Sequence, residues 1–185
     1  MAKTVLVPIA DGTEEIEAVC IIDTLRRAGA QVTVASIAKG LQVKASRGVN
    51  LVADALIGDC IKHAYDAIVL PGGMPGAEHL RDCAPLIAMV KQQREAGRIY
   101  AAICASPAIV LHHYGLLKGK KATCYPGMGN DFADQSAMEQ RVVVDGNCIT
   151  SRGPGTAIEF ALALIEVLFD AEKAQKVAAP MLVKR

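Results

Sequence analysis

Tryptophan is absent from this 185-residue chain, and aromatic residues make up only 4% of it. No aromatic-rich surface for stacking RNA bases is present. Charge of one sign is lacking as well: 20 Lys and Arg stand against 19 Asp and Glu, a formal net charge of +1. No basic stripe runs along any segment, which argues against nucleic acid as a partner. No apolar run approaches the ~20 residues needed to cross a bilayer. Thr4-Val5-Leu6-Val7 starts a strand at once, with no charged or apolar leader ahead of it. A cytoplasmic protein without a membrane anchor is the expectation.

Cys-x-x-Cys does not occur either. Cys20, Cys60, Cys83, Cys104, Cys124 and Cys148 are scattered evenly through core-like segments. Reduced thiols are expected rather than a disulfide framework. Cys60-x-x-His63 and His79-x-x-x-Cys83 have one-face helical spacing, but the two pairs need not meet, so no metal and no cofactor is expected.

What is present is 52% hydrophobic residues, drawn from Val, Ile, Leu and Ala. That composition suits a parallel sheet covered on both faces by helices. Strand and helix patterns alternate along the chain. Lys3–Ile9 reads as a strand, a helix follows to about Ala28, and Gln31–Ile37 returns as a strand. Short apolar runs at Leu41–Val43 and Val49–Ala53 read as a small antiparallel insertion. Ala67–Leu70 is a buried strand, Pro85 opens a helix that Gly97 ends, and Arg141–Val144 with Cys148–Ser151 reads as a hairpin. Thr156-x-x-Glu159 has the pattern of a capping box for a helix running to about Phe169, and Ala171–Ala179 forms a last short helix. One doubly wound domain over residues 1–185 is expected.

Arg98-Ile99-Tyr100-Ala101-Ala102-Ile103-Cys104-Ala105-Ser106-Pro107 carries the strongest chemical signal. An apolar strand ends at a single cysteine, and small residues and a helix start follow. This is the layout of a nucleophile elbow. A thiol there meets free backbone N–H groups and the positive end of a helix, and should ionise more easily than a free cysteine. A buried structural cysteine would end a core strand in the same way; the small neighbours Ala101, Ala102, Ala105 and Ser106 favour the reactive reading. Parallel sheets place their sites beyond the strand carboxyl ends. Gly12-Thr13-Glu14-Glu15, Pro71-Gly72-Gly73, Cys104 and Ser151-Arg152-Gly153-Pro154-Gly155 should therefore converge.

Glu14, Glu15 and Glu17 crowd the first turn of a helix, where negative charge complements the dipole. Glu17 stands apart because it sits among apolar neighbours. Turned inward, it would share one proton with the thiol. Gly72 and Gly73 bring backbone close to a ligand, and the Gly73 and Ala105 N–H groups would form an oxyanion hole. Gly153 and Pro154 would shape the pocket rim. His112 and His113 lie about two turns beyond Cys104, too far to touch its sulfur.

Four motifs together make the chain resemble the ThiJ/PfpI superfamily in its DJ-one branch. They are Asp11-Gly12-Thr13-Glu14-Glu15-Ile16-Glu17, Val69-Leu70-Pro71-Gly72-Gly73, Ala101-Ala102-Ile103-Cys104-Ala105 and Thr150-Ser151-Arg152-Gly153-Pro154-Gly155-Thr156. The resemblance implies a flavodoxin-like sandwich, a homodimer, a reactive Cys104 and a partner carboxyl at Glu17. It also implies a charged cluster of Glu14, Arg27 and Arg47 near the dimer contact. Protease-like members carry histidine after the cysteine where this chain has Ala105, so peptidase activity is not implied. Tyr125 stands where some relatives have a histidine, and places a phenol at the pocket rim. Cys124 is read as a core cysteine rather than one that resolves an oxidised Cys104.

The implied function is cysteine-dependent, glutathione-independent handling of reactive 2-oxoaldehydes. It would convert methylglyoxal to lactate in the manner of a glyoxalase III, with possible deglycase action on glycated protein. The competing expectation is a redox-sensing or chaperone protein that oxidises Cys104 without turnover.

Overall fold

The computed structural model describes residues 2–184. The chain enters β1 (Thr4–Ile9), forms α1 (Glu15–Arg27) and returns as β2 (Gln31–Ser36). The hairpin of β3 (Gln42–Lys44) and β4 (Asn50–Val52) follows, then β5 (Ala55–Leu56) and α2 (Ile57–Cys60). Next come β6 (Ala67–Leu70), α3 (Gly76–Asp82), α4 (Ala84–Glu95) and β7 (Ile99–Ile103). A six-residue π-helix, Pro107–His112, follows β7. The hairpin of β8 (Val142–Asp145) and β9 (Cys148–Ser151) precedes a 3-10 turn, α5 (Ala157–Leu168) and α6 (Ala171–Ala178).

Seven strands form one sheet in the order β5-β2-β1-β6-β7-β9-β8, while β3 and β4 pair separately. Every neighbour in the large sheet is parallel except β8, which runs antiparallel to β9. The architecture is thus the mostly parallel α/β sandwich with a small antiparallel insertion. From β1 the chain first builds outward through β2, then crosses to β6 on the other side. That reversal leaves a crevice at the carboxyl ends of β1 and β6.

Side-chain alternation along the strands divides the core between the two faces. Val5, Val7, Val69, Ala101 and Ile103 pack with Ile21 and Leu25 of α1 and Phe160 and Leu164 of α5. Leu6, Ile68, Leu70, Tyr100 and Ala102 pack with Leu80 of α3, Leu86 and Val90 of α4, and Leu111 of the π-helix. Each large apolar side chain buried this way contributes on the order of 1.5–3 kcal/mol.

Three local expectations change. The capping box is not made: Thr156 Oγ1 accepts from the Gly153 N–H at 3.1 Å, and Glu159 instead holds Arg141 at 2.8 Å. A second helix, α3, fills the segment between Pro71 and Pro85. The helix after Cys104 is wider than an α-helix; at its end the Leu116 N–H reaches back five residues to the Leu111 carbonyl at 2.8 Å.

Candidate active site

β7 ends in an elbow at Cys104, whose φ of 65° lies in the left-handed region. For a residue with a Cβ this costs roughly 1–2 kcal/mol, so the surroundings must hold it in place. They do so from three sides. The Cys104 N–H donates to the Ser151 carbonyl at 3.0 Å, and the Cys104 carbonyl accepts from the Tyr125 N–H at 2.8 Å. Two residues on, the buried Ser106 hydroxyl donates to the Pro71 carbonyl at 2.6 Å. The small neighbours therefore leave room for β6, β9 and the Tyr125 loop to close around the elbow.

Glu17 reaches the same point from α1 and is fully buried. Its Oε2 accepts from the Gly72 N–H at 2.7 Å, and its Oε1 has no conventional hydrogen-bond partner. A Cβ on Gly72 would lie 2.6 Å from Cys104 Cβ and 2.9 Å from Glu17 Oε2, so only glycine lets thiol and carboxyl meet across this strand end. Burial raises the Glu17 carboxyl to about 7; the Gly72 N–H and the Cys104 thiol pull it down, and the Glu14 charge adds to the rise.

Cys104 does not ionise as the elbow alone suggests. Burial and the Glu17 carboxylate push the thiol up to about 12, and the Gly73 and Ala105 N–H groups directed at the sulfur only partly offset them. With Glu17 charged, two backbone donors do not outweigh desolvation beside a like charge, which runs against the direction expected from the elbow alone. The proton belongs to the pair. Moving it from sulfur to Glu17 removes the like charge and turns the carboxyl O–H toward the sulfur as a further donor.

Gly72 is also corrected. Its N–H is spent on Glu17 and its carbonyl accepts from the Glu14 N–H at 2.9 Å, so it positions the carboxyl rather than serving an oxyanion. Gly73 and Ala105 keep donors aimed at the reacting sulfur. Gly73 has a φ of +89°, and a Cβ there would stand 2.4 Å from the Gly12 carbonyl oxygen. The crossing of the β1 and β6 turns therefore demands glycine.

A cleft of about 500 Å³ opens above Cys104, lined by Gly73, Ala105, Glu14, Arg47, Tyr125 and Pro154 together with Ser46, Met74 and Met128. The Tyr125 ring lies 3.4 Å from where a Gly153 Cβ would be, so Gly153 gives the phenol its place at the rim. Ser46, Met74 and Met128 join the cleft without belonging to the four strand-end motifs. Met74 directly follows Gly73, a signal that was available; Ser46 sits in the turn between β3 and β4, where nothing local marks it.

The charged trio is divided. Glu14 Oε2 accepts from the Ser46 hydroxyl at 2.7 Å, beside Arg47, whereas Arg27 pairs with Asp23 at 2.6 Å at the far end of α1. Thirteen helical residues separate the two ends by roughly 20 Å, so within one chain the three do not form a cluster. Cys124 is buried with the side chains on the sheet face opposite to the one that Cys104 joins. Among the described residues no histidine lines the cleft, and no group of three or more His, Cys, Asp and Glu is arranged to hold a metal.

Known proteins share the sequence pattern and the fold. Residues 3–167 match the model of the DJ-1/PfpI family. The chain is 55% identical, over 97% of its length, to protein DJ-1 homolog B of Arabidopsis thaliana and 52% identical, over 98%, to homolog A. It spans 41% and 47% of those relatives, less than half of each. The glutathione-independent glyoxalase DJR-1.2 of Caenorhabditis elegans is 34% identical, with 96% of this chain and 94% of that protein covered. The solved structure of oxidized Toxoplasma gondii DJ-1 superposes with a TM-score of 0.95 at 53% identity, covering 100% of both chains.

Proposed function

The chain belongs to the DJ-1/PfpI family, and on that premise we propose that it converts 2-oxoaldehydes to 2-hydroxy acids without glutathione. The observation that carries this reading is the buried Glu17 carboxyl, with Oε1 unpartnered, beside the Cys104 thiol. A carboxyl that titrates near neutral pH and touches a nucleophile is suited to taking and returning a proton. The glyoxalase name of the Caenorhabditis elegans relative supports the same chemistry.

The steps follow from the residues. Cys104 Sγ bonds to the aldehyde carbon while the thiol proton passes to the aldehyde oxygen, giving a hemithioacetal. Glu17, as carboxylate, removes the proton from that carbon, and the electron pair moves toward the ketone to form an enediolate. Glu17 returns the proton to the former ketone carbon, and the hydroxyl proton passes to the neighbouring oxygen, leaving a thioester. Water cleaves the C–S bond, releasing the 2-hydroxy acid and restoring the thiol. The aldehyde carbon is oxidised and the ketone carbon reduced, so no external oxidant is required. The Gly73 and Ala105 N–H groups stabilise negative charge beside the sulfur. Apparent removal of early methylglyoxal adducts from protein follows wherever free methylglyoxal is consumed.

A second reading rests on the same donors: Cys104 oxidised to sulfenic and sulfinic acid, with the Gly73 and Ala105 N–H groups binding the anion. The oxidized state of the Toxoplasma gondii neighbour favours it. We also place the protein in the cytoplasm as a homodimer, for which the exposed apolar Ile16, Val19 and Val49 offer a contact surface. Purified protein given methylglyoxal without glutathione is expected to release lactate in steady state. Loss of methylglyoxal without lactate, or with one equivalent of Cys104 consumed, contradicts the enzyme reading.

A further inference from the structure

The cleft is larger than methylglyoxal requires. At about 500 Å³ it falls in the range of roughly 300–1,000 Å³ typical of sites for drug-sized ligands. Methylglyoxal has five heavy atoms, and a water molecule takes about 30 Å³ of liquid volume. Most of the space would stay wet around so small a substrate.

The walls also differ in kind. Glu14, Ser46 and Arg47 come from the start of α1 and the β3–β4 turn, on the β1 and β2 side of Cys104. Tyr125, Met128 and Pro154 come from the β7 and β9 side, and Met74 from the turn after β6. Tyr125 is fixed against the elbow, with its N–H on the Cys104 carbonyl at 2.8 Å and its own carbonyl accepting from the Met128 N–H at 3.1 Å. Its ring rests against Gly153. The apolar wall is thus anchored to the nucleophile itself. Two unbranched thioethers lining the same cleft as an aromatic ring make a surface that adapts to varied apolar groups.

We propose that the site selects 2-oxoaldehydes carrying a bulky apolar or aromatic group on the ketone carbon, with Tyr125 as the specificity-determining residue. This rests on the 2-oxoaldehyde reading and extends it to a substrate class. The aldehyde carbon meets Cys104 Sγ at the floor, and the substituent packs on Tyr125, Met74 and Met128. Burying a phenyl group there shifts kcat/KM through transition-state binding, on the scale of tenfold or more for each well-filled apolar increment.

The test compares phenylglyoxal with methylglyoxal as substrates, read as mandelate and lactate released. Wild-type kcat/KM is expected to be at least about tenfold higher for phenylglyoxal. Intrinsic reactivity differs between the two aldehydes, so the ratio in variants decides. Tyr125→Ala is expected to lower the phenylglyoxal-to-methylglyoxal ratio by about fivefold or more, and Tyr125→Phe to keep it within about twofold. A ratio unchanged by Tyr125→Ala, or a wild-type preference for methylglyoxal, overturns the proposal while leaving the 2-oxoaldehyde reading intact. A second measurement holds even without turnover: protection of Cys104 from iodoacetamide by the products. Mandelate is expected to protect at a concentration at least about tenfold below that of lactate. Equal protection contradicts the selectivity, and turnover of neither aldehyde contradicts the activity itself.

Discussion

Glu15 and Glu17 leave the same turn of α1 two residues apart and meet opposite surroundings. Glu15 faces the β3–β4 turn, where the Arg47 N–H donates at 2.9 Å and the Ser46 hydroxyl, whose single proton is shared with Glu14, lies at 2.8 Å. Burial would raise its carboxyl, but these donors, the Val49 N–H and its own backbone together bring it below the usual value. Glu17 faces the elbow with a single 2.7 Å bond from the Gly72 N–H, and burial carries it up to about 7. Residue type is matched, so what differs is the surroundings: Glu17 is fully buried with one N–H donor, whereas Glu15 keeps contact with solvent and has several donors. A carboxylate fully supplied with N–H and O–H groups remains an anion and holds a turn in place. One buried and short of donors is suited to carrying a proton, and among the described residues Cys104 is the cysteine that lines the cleft beside it.

The largest expected effect breaks the comparison on the Glu17 side. Glu17→Gln keeps the size of the side chain but cannot pass a proton, and Cys104→Ser removes the nucleophile. Each should lower lactate production by about 10³-fold or more, and the double variant should be scarcely worse than either, because the two groups act as one unit. Independent, multiplying losses would separate the pair.

A smaller effect concerns stability. Glu17 binds a proton more tightly folded than unfolded, from about 7 against 4.5. Its contribution is therefore fully present below 4.5 and is lost as pH rises through about 7. Between pH 5 and pH 8 the wild type should lose about 2–3 kcal/mol relative to Glu17→Gln, read from urea unfolding at the two values. Parallel stability curves for the two proteins would remove the raised carboxyl. The smallest effect falls on Glu15→Gln, which should cost about 1–2 kcal/mol through weakened charge-assisted bonds to the β3–β4 turn. In the wild type the Glu15 contribution should run the other way with pH, lost as acid protonates the lowered carboxyl, and the variant should lack that loss. Retention of full stability by that variant would show that the turn does not depend on the anion.

The elements that build the site are legible as pattern, because apolar alternation and strand-end glycines are local. β1, β6, β7 and the β8–β9 hairpin stand where the sequence places them, and the four strand-end motifs meet. What escapes is set by partners distant in the chain. Glu159 leaves Thr156 uncapped because Arg141 offers it two guanidinium nitrogens. α3 hides behind Pro71, Pro75 and the glycines around them, which read as turn. Ser46 has no local mark, yet from 31 residues away it brings its hydroxyl to Glu15. The direction of the Cys104 shift also escapes, since the burial that leads it is set by the folded surroundings and outweighs the elbow donors that the local sequence shows. Sequence places the charged groups on their elements; which of them keeps its proton depends on burial and on donors folded in from elsewhere.

The comparison between the two glutamates rests on one titration. Carbon-13 NMR of protein labelled at the glutamate carboxyls, with the Glu17 resonance assigned by its loss in Glu17→Gln, measures it directly. The account predicts a Glu17 midpoint near 7, well above that of Glu15. A Glu17 midpoint near 4.5, the unperturbed value, would contradict the shared proton and with it the role of this carboxyl in catalysis.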